Sequence, residues 1–389
     1  MSASGDALEF GDALERGDAL ERGALNLLLG CAQAKSGDSL LILHEDPALG
    51  YFGPGLAEAI AAAGKAIGLD VRLCAVPFDE HAETLPAELA VEMGRADHTL
   101  FLARLGDQLR FRELPAGARP IVSYVLDQHA MASAFGAAPH AAFVALKGAF
   151  NRLFASAGDI HVTCPLGTDF RGRPPLPDGG EAPDVGIKRF PVSVFAPIDA
   201  ASFSGKVAVA HLLVGTGSKY YQPYGIPLRS TLFARLEHGR IEGWEGLPDE
   251  VARAELHYRH VSNLFGIDGG FVHSWHAGIH PGCVYPERAE ASYERWSGSA
   301  FGNPRLLHFH TCGAYAPGEI CWNVVDPTIR VDGVAIWENG VINIHAVPGA
   351  PDILAAYPAA RELFDNPARA IGIGEIGIGE IGISMPGMR

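Results

Sequence analysis

Seven of the sixteen histidines, at 257, 260, 273, 276, 280, 308 and 310, fall within 54 residues of a 389-residue chain, where an even spread would place about two. Neutral imidazole is both a general base and the commonest metal ligand, so this density marks where chemistry should be sought. In HSWHAGIHP, His273, His276 and His280 stand three and four residues apart, among Gly and Pro that argue a loop or strand end from which one ion could gather them. In HFHTCG, His308 and His310 alternate along a strand and so share one face. APGEICWN then supplies Glu319 and Cys321 with the same alternate-residue geometry. Two imidazoles and one carboxylate form a facial set that leaves positions open on Fe(II), and the same atoms suit Zn or Mn. Ligand type alone does not choose the metal.

These spacings make His273, His276, His310 and Glu319 the expected ligands, and leave His280 and His308 as expected catalytic groups, one of them a general base. Trp275 and Trp322 adjoin the histidine segments, and Tyr221 and Tyr224 lie in the loop GTGSKYYQPYG at 215–225; these four are the expected substrate contacts of an aromatic-lined pocket. Each residue also has a plainer use. A single His is more often a surface or satisfied core residue than a ligand, a Trp is more often core than site, and Cys312 and Cys321 suit small buried positions.

Positioning these groups requires two kinds of structure. From Ala24 an apolar helix, the strand SLLILHED, the Ala-rich helix PGLAEAIAAAGKAIG and the strand DVRLCAVP begin an alternation that runs to about Ser156, predicting an open, mostly parallel sheet with flanking helices. After Ile160 short strands and frequent Gly and Pro take over, with HG, DG and NG turns that predict hairpins in a mainly antiparallel β domain. The fold class is thus α/β plus β-rich. The expected divisions are 1–23, a hexad-repeat extension (GDALEF, GDALER, GDALER); 24–156, the α/β domain; 157–347, the β-rich domain with the site; and 348–389, an extension carrying the repeat IGIGEIGIGEIGI.

Composition narrows the functional classes. A formal charge of -15 repels phosphate, so nucleic acid is not an expected partner. Six cysteines without a CxxC pair indicate neither a disulfide scaffold nor a zinc knuckle. No apolar run reaches the roughly 18 residues a bilayer span needs, and the acidic N-terminus lacks a signal-peptide core, so no membrane partner and a cytoplasmic location are expected. No GxGxxG follows the first strand, so dinucleotide binding has no support.

In HVTCPLGTDFRGR, the residues Thr163, Gly167, Thr168, Asp169 and Arg173 resemble the "T..GTDL...GR" element of the M29 (aminopeptidase T-like) metallopeptidases, whose fold is shared by the Fe(II)-dependent 2,5-dihydroxypyridine 5,6-dioxygenases. The resemblance continues through FPVSVFAPIDAASFSGKVAV, LEHGRIEGWEG and DPTIRVDGVAIWENG, covering roughly 24–345. It implies a metal enzyme, commonly a homodimer, with its site in the second half. It also implies departures: the peptidase glutamate falls at Ser193, the next ligand at or beside Ser274, and the final "HxD" pair on Glu319 and Cys321. An active two-metal aminopeptidase is therefore not expected. Two readings remain. One is a mononuclear metal-dependent, oxygenase-like or tailoring enzyme acting on a small aromatic molecule or peptide, including in ribosomal-peptide natural-product biosynthesis. The other is a metal-free pseudoenzyme that needs no cofactor and binds a peptide in the old cleft.

Overall fold

The structure is a computed structural model that describes residues 18–374 apart from 111, 113, 116, 175–186 and 217–219. Most of both repeats therefore lies outside the described residues. The chain forms a parallel sheet with helices, followed by two antiparallel sheets, which is the expected fold class.

The parallel sheet has the order Asp70–Ala75, Ser39–His44, His98–Leu102, Pro120–Ser123, Lys188–Phe190. Its inner strands are continuous apolar runs because both of their faces are covered: every residue of His98–Leu102 and Pro120–Ser123 is buried. In open sheets of this type the binding crevice lies beyond the carboxyl ends of the strands where the order reverses. Here that place is filled by the chain's own ion pair. Arg104 Nη2 lies 2.6 Å from Glu45 Oε2, and Arg104 Nη1 reaches Glu294 Oε2 at 3.1 Å, tying the parallel sheet to the second half.

The halves interlock beyond that contact. The fifth parallel strand, Lys188–Phe190, comes after the stretch that the alternation assigns to the α/β part. Conversely, helix His140–Ala155 packs Phe143, Leu146, Phe150 and Phe154 into the core of the antiparallel sheets, and so does the C-terminal helix Pro358–Asp365 with Phe364.

One antiparallel sheet has eight strands and the other six. In the eight-stranded sheet the expected turns are present at His238-Gly239, Asp332-Gly333 and Asn339-Gly340, each with both φ values positive. Two left-handed residues in succession match the right-handed strand twist, and a Gly or Asn in the pair lowers the steric cost. The six-stranded sheet has the order Gly225–Pro227, Leu212–Val214, Glu319–Val325, Leu306–Cys312, Val272–Ala277, Ile198–Asp199. Its three central strands align Trp275 with Phe309 and Phe309 with Trp322. All three rings are buried in the core between the sheets, where Phe309 meets Phe170 of the other sheet at a ring separation of 5.2 Å. No helix among the described residues is long and apolar enough to cross a membrane.

Candidate metal centre

Because side chains alternate along a strand, filling one face with Trp275, Phe309 and Trp322 sends their neighbours to the other. On that other face His276 is paired with His308, His308 with Asn323, Ser274 with His310, and His310 with Cys321, and Glu319 lies two residues before Cys321 on the same strand. The two histidine motifs, 32 residues apart in sequence, are thereby adjacent strands. His308 Nε2 lies 2.6 Å from His276 Nε2, and His310 Nε2 lies 3.1 Å from it.

The outer nitrogens settle the protonation of two of these rings. His276 Nδ1 is 2.8 Å from the Phe195 carbonyl oxygen, which can only accept, so Nδ1 carries the proton and Nε2 presents a lone pair. His310 Nδ1 contacts Glu319 Oε1, and a carboxylate likewise fixes the proton on Nδ1. A carbonyl or carboxylate behind each ring is the arrangement that orients histidines toward a metal and raises their basicity. The Nε2 of His276 has one in-plane lone pair, yet two other nitrogens are aimed at it. At most one can donate a hydrogen bond to it. A cation placed among the three would satisfy them all, and ligands about 2.1 Å from one ion stand about 3.0 Å apart at right angles and about 3.4 Å apart at the tetrahedral angle. The 3.1 Å contact falls within that range, while the 2.6 Å contact lies a few tenths of an ångström short of it.

Burial pushes the pKa of His276 and of His308 well below the usual histidine value, with the charge of Arg189 acting in the same direction. Both rings are thus held neutral, the form that ligates. The Phe301 ring stacks on His308 with centroids 4.1 Å apart and planes 13° from parallel. His308 Nδ1 and Glu319 Oε2 are buried without hydrogen-bond partners. Burial, with Glu319 nearby, pushes the Cys321 thiol well above its usual pKa, so it remains protonated. His276, His308 and His310 form one potential ligand group, and His310, Glu319 and Cys321 form a second that shares His310.

The remaining expected site residues lie apart from this group or serve it indirectly. His273 sits at the bulge where the pairing with the next strand shifts between Val272 and Ser274, and its Nε2 is 2.9 Å from the Cys312 carbonyl oxygen. His280 is fully buried, stacked on Phe143 at 3.8 Å and edge-on to Phe135 at 5.0 Å, so it is enclosed by apolar rings instead of facing the cluster. Trp275 and Trp322 point into the core, which corrects their expected place in a pocket wall. The Tyr221 hydroxyl donates to the Glu319 backbone carbonyl at 2.7 Å, and Tyr224 bonds Ser297 at 2.9 Å; both hydroxyls are engaged with the protein. His308, expected to be catalytic, stands instead in the group of three imidazoles. Ser193 accepts the Ile279 N–H on its carbonyl at 2.8 Å. Sequence reasoning passed over Phe195, Phe301 and Arg189. A backbone carbonyl such as that of Phe195 leaves no mark on residue type, although a lone Arg on a strand that ends at Phe190 could have been noticed.

No family model matches the sequence, and no curated protein matches it. Among solved structures, the chain is similar to 2,5-dihydroxypyridine dioxygenase from Pseudomonas putida KT2440, with a TM-score of 0.54 and 14% identity over 85% of this chain and 97% of that one. At that identity the likeness is one of fold.

Proposed function

We propose that the chain is a metal-dependent, oxygenase-like enzyme that holds one divalent ion among His276, His308 and His310 and acts on a small aromatic molecule. The observation that supports this most is the convergence of three Nε2 atoms while Phe195 and Glu319 hold the opposite protons of two rings. Ferrous iron is the ion this reading favours, with zinc and manganese compatible with the same donors. Bound there, it would supply Lewis acidity and open positions for substrate and dioxygen.

The chain's own groups have definable parts. Glu319 keeps the proton on His310 Nδ1 and so keeps Nε2 basic. The Phe195 carbonyl does the same for His276, and Phe301 shields one face of His308 from water. Glu319 Oε2, buried and unpartnered, is free to accept a proton from a substrate hydroxyl. The test is elemental analysis of protein purified without a histidine tag and without oxygen. One equivalent of Fe, Zn or Mn per chain, lost in His310→Ala, is expected. A wild type that neither contains nor takes up any of the three would overturn the reading and leave a metal-free binding role.

A further inference from the structure

Among the described residues, Arg189 and Arg253 have a buried Nε that meets no acceptor. Arg253 is ion-paired with Glu250. The Arg189 side chain has no hydrogen bond or ion pair among the described residues. Arg189 is half-buried, and its Nε is shut off from water without an acceptor, a donor left for an occupant to satisfy.

Its position indicates where that occupant would sit. On the Lys188–Phe190 strand, Lys188 and Phe190 turn toward residues 24–31: Lys188 Nζ donates to the Cys31 carbonyl, and Phe190 packs with Leu27 and Leu28. Strand alternation sends Arg189 to the opposite face, with Ile187, which packs beside Leu105 and Leu109. The acid on that side, Asp107, is engaged through Oδ1 by Arg110 and by the Tyr124 hydroxyl at 2.9 Å, while its Oδ2 is buried without a hydrogen-bond partner. From Phe190 the chain runs five residues to Phe195, whose carbonyl holds His276, and the Arg189 charge is close enough to bear on both His276 and His308. The charges bearing on His276 from Arg189 and Lys147 are both positive. Cations beside a site that would itself hold a cation make sense when the third component is an anion. A chain of net charge -15 also needs a local positive pole to draw one in.

We propose that Arg189 is the anchor for a carboxylate on the substrate, so that the substrate is a small aromatic acid. The planar Nε and Nη donors of arginine match a carboxylate with two parallel hydrogen bonds, a geometry lysine cannot reproduce. This rests on the metal reading for the location of chemistry but not for the binding itself.

The test is calorimetric titration of the full chain with benzoate and with neutral benzamide, in chelator and again after zinc loading. The expected result is that benzoate binds in preference to benzamide in both conditions and that Arg189→Ala weakens benzoate about tenfold or more, the loss of one charge-assisted pair. Benzamide affinity and zinc stoichiometry should be unchanged, and Arg189→Lys should recover only part of the benzoate binding. Equal benzoate affinity in wild type and Arg189→Ala, or no benzoate binding by wild type, would overturn the proposal. Failure of the wild type to bind zinc, with the benzoate difference intact in chelator, would instead remove the metal reading and leave Arg189 as an anion anchor.

Discussion

The two faces of the six-stranded sheet use the same strands for opposite purposes. On one, Trp275, Phe309 and Trp322 form a cross-strand row with rings buried against the second sheet. On the other, His276, His308 and His310 crowd their nitrogens together and leave His308 Nδ1 and Glu319 Oε2 without partners. The first face is held by ring packing and a hydrogen bond from Trp322 Nε1 to the Tyr258 hydroxyl, with Trp275 Nε1 its one unmet donor, whereas the second crowds three imidazole nitrogens together and becomes complete only when something else arrives. A rigid aromatic layer one residue away is what can hold three mutually unfavourable imidazoles in place.

Truncation on the packed face should give the largest effect. Trp322→Ala is expected to cost about 3–5 kcal/mol, as large-to-small changes in cores do, read as a fall in the denaturation midpoint in the presence of chelator. A loss under about 1 kcal/mol would mean that this layer is not the support described.

A buried histidine outside the cluster provides a control for burial without convergence. Burial pushes His280 down to a pKa of about 3. Between the unfolded value of about 6.5 and that folded value, the unfolded chain takes up a proton the folded chain refuses, so stability falls as pH drops through this window by up to about 1.4 kcal/mol per pH unit. In His280→Leu the slope of stability against pH between 6 and 4 should be shallower by up to that amount. An unchanged slope would show that His280 gains a proton without unfolding.

On the site face, Glu319→Gln should weaken metal binding about 10- to 100-fold, the usual consequence of removing a carboxylate behind a ligating histidine. Undiminished affinity, measured by competition with a chromogenic chelator, would reduce the Glu319–His310 contact to structure alone. The smallest effect is expected for His308→Leu measured without metal. Because one of the crowded nitrogens is removed and its Nδ1 had no partner, stability in chelator should change by no more than about 1 kcal/mol. A larger loss would place His308 among the packed residues and blur the contrast between the faces.

Much of this arrangement was legible from alternation. The shared face of His308 and His310, and that of Glu319 and Cys321, follow from a period of two, and HG, DG and NG mark hairpins whose backbone carries the required positive φ values. Strand register was not legible. Nothing in HSWHAGIHP states that His276 pairs with His308, and reading the segment as a loop or strand end concealed the bulge at His273 that sets it apart from His276. Long-range partners were equally hidden: Phe195 contributes a carbonyl that every residue possesses, and Arg189 lies on a parallel strand of three residues, shorter than periodicity can register.

That short strand also bears on how the chain is made. The parallel sheet cannot close until Phe190 has left the ribosome, and the antiparallel core cannot close until Phe364 has. At about 5–20 residues per second, the interval between the two is roughly ten to thirty-five seconds. Throughout it, helix His140–Ala155 has been synthesised but its apolar face has no finished core to enter, leaving the nascent chain exposed to chaperones on one flank while the other is already folded.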